Sequence, residues 1–357
     1  MGLRRLRLDS RRARGPALRP RRCGVECAER PTICQLRHPE RADGLRYLNA
    51  VGAQIAAARD GTARSRVALA EACEASCSPG SIGAWMSALG GLGSVPGDGN
   101  ASTLTYNLGG IAVGADWRPD PRILLGASVG YLTGSQWVSG FDGRGTTDVF
   151  NASLYASFVW SGVYIDGVAG YANAANRLTR SIAIAALATP TASGTTAANQ
   201  FLGQVETGYR IALDALSPAL SATPFARLQG STSSQAGFGE SGPGSLGLLV
   251  APQVTNSLRS TLGADFRATI RDVDIDVRLG WLHEYADTSR PLTASFAGAP
   301  GISWTVFGAT PQRDSALIGL ATTATVAGAA RVFLRYEGEV GGTTDNHTLT
   351  VGLRLSW

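Results

Sequence analysis

The chain has 357 residues, enough for one large domain or two of ordinary size. Glycine accounts for 45 residues and only 17% of the residues are charged, whereas soluble domains average about 7% glycine and about 25% charged residues. No apolar run approaches the roughly 18 residues of a membrane-spanning helix, which excludes a polytopic helical membrane protein. A membrane barrel is compatible with this composition, because apolar and polar residues alternate along its strands.

Arginine is concentrated at the beginning of the chain. Residues 1–41 contain 12 arginines and 4 acidic residues, so this segment carries +8 while the whole chain carries +5. The basic charge is therefore not a property of the main domain. The segment 1–43 is also rich in proline and lacks hydrophobic periodicity, which predicts disorder. Aromatic residues and a folded nucleic-acid-binding motif are absent from it, so we expect no nucleic-acid partner.

The cysteines also lie in the first part of the chain, at Cys23, Cys27, Cys34, Cys73 and Cys77. Cys73 and Cys77 are four residues apart near the end of a predicted helix, and both a local disulfide and two free thiols remain open there. The spacings do not form the paired C-x2-C units of a zinc site. We therefore predict no metal site and no cofactor.

A helical periodicity follows in residues 44–79. From Leu45 to Ala58, apolar residues recur at every third or fourth position, as on one face of an α-helix. Gly61 interrupts the pattern, and a second helical piece over 63–73 ends before Pro79. This region is predicted to be a helical linker or pore helix in front of the main domain, residues 80–357.

From Ile82 onward the hydrophobic period changes to two, which is typical of strands with two different faces. Between Ile123 and Tyr131, for example, large apolar residues alternate with glycine and serine. Twelve strands are predicted, over residues 82–91, 103–117, 122–133, 147–159, 162–177, 199–213, 222–231, 256–267, 271–285, 312–326, 330–340 and 347–357.

The links between the predicted strands largely alternate in length. Links after odd-numbered strands are mostly long, whereas several after even-numbered strands are short, such as residues 118–121 and 160–161. Outer-membrane barrels have this asymmetry, with short periplasmic turns and longer external loops. Because the strand count is even, the first strand is predicted to begin at the periplasmic rim where the last one ends, and the helix must arrive at that rim.

The last nine residues, 349–357, read L-T-V-G-L-R-L-S-W. Large apolar residues alternate with small or polar ones, so one face suits lipid and the other suits water. The terminal aromatic residue fits the girdle at the edge of a membrane barrel. Other aromatic residues near strand ends, Trp117, Trp160 and Tyr164 among them, predict the same girdle.

A run of alternating aspartates, D-V-D-I-D over residues 272–276, marks the polar face of the ninth strand. Alternate residues lie nearly 7 Å apart on a strand, which is too far for three carboxylates to hold one Ca²⁺ without help from loops. If the hairpin pairs Phe266 with Val273, Arg267 lies opposite Asp272, and we favour such ion pairs over a metal site. The predicted lumen-facing charges are Asp272, Asp274, Asp276, Arg267 and Arg278.

The region from Ile82 to Trp357, about three quarters of the chain, resembles the autotransporter β-domain, the translocator of type V secretion. The resemblance depends on the order and spacing of several stretches and on the final aromatic residue. These stretches are G-D-G-N-A (97–101), G-A-D-W-R-P (114–119), L-G-A-S-V-G-Y (125–131), P-F-A-R-L-Q (224–229), W-L-H-E-Y-A-D-T-S (281–289), L-T-A-S-F-A-G-A-P-G (292–301), R-D-S-A-L-I-G-L (313–320) and the terminal L-R-L-S-W.

The resemblance implies an all-β fold: a twelve-stranded antiparallel transmembrane β-barrel in the outer membrane of a Gram-negative bacterium, with an N-terminal α-helix in its lumen. The pore helix would be the segment around 63–74, with a start as early as Leu45 left open. The implied partners are outer-membrane lipid, the barrel assembly machinery and the chain's own N-terminal segment or passenger. In the family, the assembly machinery recognises the last strand, and the matching residues are Leu349, Val351, Leu353, Leu355 and Trp357.

The resemblance predicts a translocator and membrane anchor that exports an N-terminal passenger. Only about 80 residues precede the barrel and no signal peptide is recognisable, so we expect either little passenger or a longer reading frame upstream. The alternative is a small porin-like or vestigial structural barrel. No nucleophile motif is present, and we predict no enzyme activity. Some family members cleave their own pore helix, but Asn49, the only asparagine before the barrel, does not by itself predict this.

Overall fold

The computed structural model describes residues 44–59, 82–99, 101–140, 142–183, 189–327 and 330–357. The basic segment 1–43, the second predicted helical piece and all five cysteines lie outside these residues. Residues 44–59 form one α-helix, α1. Within the described ranges, no helix is both long and apolar enough to cross a membrane.

Most of the described chain is strand. In chain order, the strands are β1 (Ile82–Val95), β2 (Leu104–Asp120), β3 (Ile123–Val138), β4 (Gly143–Trp160), β5 (Val163–Ser181), β6 (Thr191–Tyr209), β7 (Ile211–Ala212), β8 (Leu220–Gln235), β9 (Phe238–Gly239), β10 (Leu248–Val250), β11 (Gln253–Ile270), β12 (Val273–Glu284), β13 (Pro291–Phe296), β14 (Ala299–Phe307), β15 (Asp314–Ala327), β16 (Ala330–Val340) and β17 (Asp345–Ser356).

Twelve of these strands close into one antiparallel barrel, which confirms the predicted fold. The strand β1 pairs on one side with β2 and on the other with the last strand, β17. The pairing of β8 with β11 completes the ring, so the barrel has no open edge. Closure is a physical requirement in lipid, because every backbone N–H and C=O group must find its partner within the protein.

Alternating burial gives the barrel wall two chemically different faces. In β6, Gln204 and Glu206 face the interior and are buried. Phe201 faces the opposite way and is 67% exposed on the outside. Leu154 of β4 is 69% exposed in the same way. An apolar outer surface around a polar interior is the arrangement that a membrane barrel requires.

The two ends of the barrel differ in their connections. At one end, β4 and β5 are joined only by Ser161 and Gly162, whose φ angles of 48° and 86° suit a tight type I′ hairpin turn. Longer links, such as residues 285–313, lie at the other end. Outer-membrane barrels keep short turns in the periplasm, so we name these the periplasmic end and the outer end. The ten residues 210–219 form one longer periplasmic link.

The chain termini of the barrel meet at the periplasmic end. The backbone N–H of Ile82 donates to the carbonyl of Trp357 over 3.1 Å, and the N–H of Trp357 donates to Ile82 over 3.0 Å. Trp117, Trp160 and Trp357 are all exposed at this rim. The predicted place of Tyr164 in the girdle is wrong, because its side chain turns into the lumen and is only 3% exposed.

A second, small sheet lies at the outer end and was not predicted. It contains β9, β10, β13 and β14, which belong to the two longest outer links. Its own side chains form a buried apolar cluster that includes Leu248, Val250 and Leu292. Arg180 of β5 donates two hydrogen bonds of 2.9 Å to Glu240, which ties this sheet to the barrel.

The barrel lumen as candidate functional site

The helix α1 lies inside the barrel. Its apolar stripe, from Leu45 to Ile55, is buried, as the periodicity predicts. Arg46 and Gln54 lie on other faces of the helix and are equally covered, with 2% and 1% exposure. A helix that is covered on every face is enclosed by the fold rather than packed on its surface. The wall residues that share its hydrophobic cluster include Trp85 and Leu132.

The helix runs from the outer end to the periplasmic end. Near its start, the Arg46 guanidinium stacks on the ring of Tyr106, at 5.0 Å from the centroid, in the outer part of β2. At its end, Arg118 and Arg331 donate hydrogen bonds of 3.1 Å to the carbonyls of Ala58 and Ala57. Arginines are favourable at this position, because the last carbonyls of a helix lack partners and carry partial negative charge.

Tyr47 attaches the outer half of the helix to the wall. Its hydroxyl lies 2.8 Å from the hydroxyl of Ser128 and 3.2 Å from that of Ser153. The ring packs against Gly130 of β3, where a Cβ atom would come within 2.8 Å of it. Glycine on the inner face of this strand therefore makes room for an aromatic ring from the helix.

Asn49 makes the most extensive polar contact between helix and wall. Its amide nitrogen donates to Glu337 over 2.7 Å. Its amide oxygen accepts from Gln229 over 2.7 Å and from Arg227 over 3.2 Å. Two wall strands, β8 and β16, thus hold one helix side chain, which determines the rotation of the helix about its axis.

A charge cluster continues from this contact around the wall. The Glu206 carboxylate accepts from Arg227 over 2.6 Å and from the Tyr164 hydroxyl over 2.8 Å. Arg278 lies 3.2 Å from the same carboxylate and also forms two hydrogen bonds of 2.6 Å with Asp265. The buried charges of this cluster are tolerable because each of them is paired and hydrogen-bonded.

A separate buried ion pair spans the closing seam. Arg354 of β17 donates to both carboxylate oxygens of Asp116 in β2, over 2.9 Å and 2.5 Å. The strand between them, β1, carries Gly83 at the crossing point, where a Cβ atom would lie 2.6 Å from the Asp116 carboxylate. The Tyr155 hydroxyl adds a hydrogen bond of 3.1 Å to Asp116.

The predicted aspartate run divides between wall and turn. Asp274 and Asp276 face the lumen on β12, where Asp276 pairs with Arg267 and Asp274 pairs with Arg331 at 3.3 Å. Arg278 follows on the same face. Asp272, however, is exposed in the two-residue turn before β12 and does not face the lumen. That part of the prediction is wrong because the turn is tighter than the pattern indicated.

The predicted register of this hairpin is wrong for the same reason. Phe266 lies opposite Val277 rather than Val273, and Arg267 lies opposite Asp276 rather than Asp272. Both strands continue to a turn of two residues, in which Arg271 adopts a φ of 54°. The register therefore shifts by four residues, while each side chain keeps the face that alternation predicts.

The residues predicted as the assembly signal lie on the outer surface of the closing strand. Leu349, Val351, Leu353 and Leu355 are between 37% and 49% exposed and point away from the lumen. Trp357 follows the strand at the periplasmic rim. Thr350 and Arg354, between them, are buried inside.

Two cavities flank the helix. One, of about 120 Å³, lies at the outer end, where Arg259 pairs with Glu339 at 2.7 Å. In the link above it, hydrogen bonds from the Ser289 backbone and side chain hold the pKa of the exposed Asp287 carboxyl below its usual value. The other cavity, of about 180 Å³, lies in the periplasmic half.

A sequence model of the Autotransporter beta-domain family matches residues 84–337 of this chain. The chain belongs to this family. The β-domain of this chain is an outer-membrane β-barrel of the type V secretion system of a Gram-negative bacterium. The recognition made from the sequence motifs is thereby confirmed. A search of curated proteins by sequence gives no match.

Solved autotransporter domains share the fold of this β-domain. The translocator domain of NalP from Neisseria meningitidis superimposes with a TM-score of 0.63 at 14% identity, covering 85% of this chain and 98% of that one. The β-domain of the Bordetella autotransporter BrkA gives 0.55 at 19% identity, covering 78% and 100%. The transport unit of AIDA-I from Escherichia coli gives 0.51 at 14% identity, covering 84% and 99%.

Proposed function

We propose that this β-domain exports the chain segment N-terminal to α1 and then anchors it at the cell surface, with α1 retained as a plug. The direction of the helix carries this proposal. Its first residues lie at the outer end and its last carbonyls bind Arg118 and Arg331 at the periplasmic end. A segment attached before residue 44 therefore continues from the outer mouth, as an exported passenger would.

The filled lumen supports an anchor over a porin-like channel. The helix is buried on all faces, and the two flanking cavities are small compared with an open pore. We also infer that the barrel is not itself an enzyme. Polar wall groups near the helix, such as Glu337 and Arg227, form hydrogen bonds with Asn49. Their role in holding the helix explains why they are there.

An epitope tag placed directly before residue 44 tests the export proposal. With the chain expressed behind a cleavable export signal, we expect antibody and protease to reach this tag in intact cells. A matched tag in the periplasmic link 210–219 should react only after the outer membrane is permeabilised. Reactivity of the second tag but not the first in intact cells would overturn the proposal.

We further propose that outer-membrane lipid covers the apolar outer surface and that the barrel assembly machinery recognises the closing strand. The outward side chains of β17, from Leu349 to Leu355, offer an apolar face beside the seam with β1. Trp357 ends this face at the rim. An assembly factor can reach this strand without entering the lumen, because the recognised side chains lie outside.

Deletion of Trp357 should strongly reduce assembled barrel in the outer membrane, because it removes the terminal aromatic residue of the closing strand. The measurement is the heat-modifiable band shift of outer-membrane fractions. Trp160→Ala is the matched control, since Trp160 lies at the same rim with similar exposure, 64% against 60% for Trp357. Equal effects of the two changes would show that Trp357 acts only as a rim aromatic and not as a signal.

A further inference from the structure

The periplasmic half of the lumen contains a cavity of about 180 Å³ between α1 and the wall. It exists because the inner face of β15 is small here. Gly319 and Ala321 line it, and Ala56 faces it from the helix. Ala321 lies between Asp276 of β12 and Arg335 of β16 in the sheet register, so two long charged side chains flank a short one.

Positive charge predominates around this cavity. The charged side chains that line it are Arg59, Arg210, Arg267, Arg278, Arg335, Asp265 and Asp276. The carboxylates all have arginine partners: Asp265 binds Arg278, and Asp276 binds Arg267. Arg59 reaches a carboxylate outside the cavity, Asp166, at 2.5 Å. The excess positive charge therefore lies with the two remaining arginines, Arg210 and Arg335.

Arg335 is the lining arginine that makes no close contact with a carboxylate of the described residues; Glu337, Asp276 and Asp265 attract it only at longer range. Within the described part of the chain, its guanidinium forms no hydrogen bond or ion pair, although it lies on the lumen face of β16. The nearby carboxylate on the same strand face, Glu337, accepts a hydrogen bond from Asn49 instead. Arg210 adds a second, exposed guanidinium at the periplasmic mouth of the cavity. A partly buried guanidinium without a close anion is costly.

We propose that this cavity is a binding site for a small soluble oxyanion, inorganic phosphate or a compact phosphate monoester. Guanidinium groups bind phosphate through paired, charge-assisted hydrogen bonds. A phosphate group carries between about one and two negative charges near neutral pH, which matches the excess at Arg335 and Arg210. The volume accommodates such an ion with some water, since a water molecule takes about 30 Å³.

A bound oxyanion in this cavity adds a link between plug and barrel. Arg59 belongs to the helix end, whereas Arg335 and Arg267 belong to the wall. The barrel wall separates the cavity from lipid, so the ligand enters in solution from the periplasmic mouth. The site does not depend on export of a passenger, and its test can fail or succeed independently of that proposal.

Isothermal titration of inorganic phosphate into the purified full chain, in zwitterionic detergent, tests this site. Sodium chloride at matched ionic strength corrects for screening. We expect saturable binding by the native chain and at least tenfold weaker binding by Arg335→Gln. Arg177→Gln is the matched control, because Arg177 is an exposed arginine outside the cavity, and its affinity should equal that of the native chain.

Arg335→Gln is expected to fold, because removing an arginine without a carboxylate partner leaves no carboxylate unpaired. If it does not give the heat-modifiable form, Ala321→Leu serves as a second variant, since it fills the cavity and leaves every charge in place. We expect it to abolish phosphate binding as well. Phosphate binding that survives both changes would overturn the proposal.

A second arm distinguishes the sources of the phosphate group. Phosphatidic acid added to the micelles should not compete with inorganic phosphate, because the wall separates the cavity from the detergent belt. Absence of saturable binding by the native chain would overturn the site. Binding of phosphatidic acid without binding of inorganic phosphate would overturn the assignment to a soluble ligand.

Discussion

Removal of residues 44–59 is expected to raise the single-channel conductance of the barrel in planar bilayers several-fold. The helix lies in the lumen from the outer end to the periplasmic end and is buried on every face. Without it, the polar inner wall, including Ser128 and Gln204, faces a continuous aqueous space. Ions then cross a water-filled channel instead of a packed helix, as in barrels whose interior is polar and open.

A synthetic peptide with the sequence of residues 44–59 provides the control for this deletion. Added in trans, it should lower the conductance again, whereas a scrambled peptide of the same composition should have no effect. The deleted chain must first show the heat-modifiable shift of a closed barrel. Unchanged conductance in such a barrel would mean that α1 is not the barrier to ion flow.

Asp116→Asn is expected to lower the free energy of unfolding by about 3–5 kcal/mol, because it leaves Arg354 buried without its carboxylate. Arg354 and Asp116 are each only 5% exposed, and their bidentate contact joins β17 to β2 across β1. Urea unfolding of the detergent-solubilised barrel measures the change. The contact that is lost lies at the seam, where the closing strand β17 meets β1 and β2.

Asp148→Asn is the matched control for the seam pair. Asp148 pairs with Arg177 at 3.2 Å, but the Arg177 side chain is 66% exposed, so this change should cost less than about 1 kcal/mol. Adding Arg354→Met to Asp116→Asn should recover part of the loss, since the unpaired buried charge is then gone. Equal effects of Asp116→Asn and Asp148→Asn would show that burial does not strengthen the seam pair.

The strand count and the faces of the strands follow from the sequence alone. Period-two alternation is local, so Ile275 and Val277 can be assigned to lipid, and Asp274 to the lumen, from neighbouring residues only. The same locality explains the errors. Tyr164 lies at a strand start between Val163 and Ile165, where three apolar residues in a row carry no alternation. Its hydrogen bond to Glu206 decides its face.

The register could not be predicted in the same way. A shift by an even number of residues keeps every side chain on its face, so the pairing of Phe266 with Val273 and with Val277 satisfies the same pattern. The turn at Arg271, with its positive φ, selects the second. Half of the small outer sheet is beyond such a prediction, because β9 and β10 have only two and three residues, too few to show a period.

For the helix, local sequence predicts the apolar face but not the partners of the polar faces. Its apolar stripe was predicted from the spacing between Leu45 and Ala58, as was its arrival at the periplasmic rim. The partners of its polar faces were not, because Asn49 and Glu337 are 288 positions apart in the chain. The same holds for Asp116 and Arg354, which are 238 positions apart.

The sequence by itself therefore determined the twelve strands, their apolar outer faces and the aromatic end, because these features depend on residues one or two positions apart; the closed membrane barrel was predicted from the alternation of link lengths and from the family resemblance. Only the tertiary structure decided that residues 44–59 form the helix within the lumen, which arginines pair there, and that Arg335 has no close carboxylate among the described residues. Those contacts exist only once the ring of strands closes and brings distant parts of the chain together around the helix.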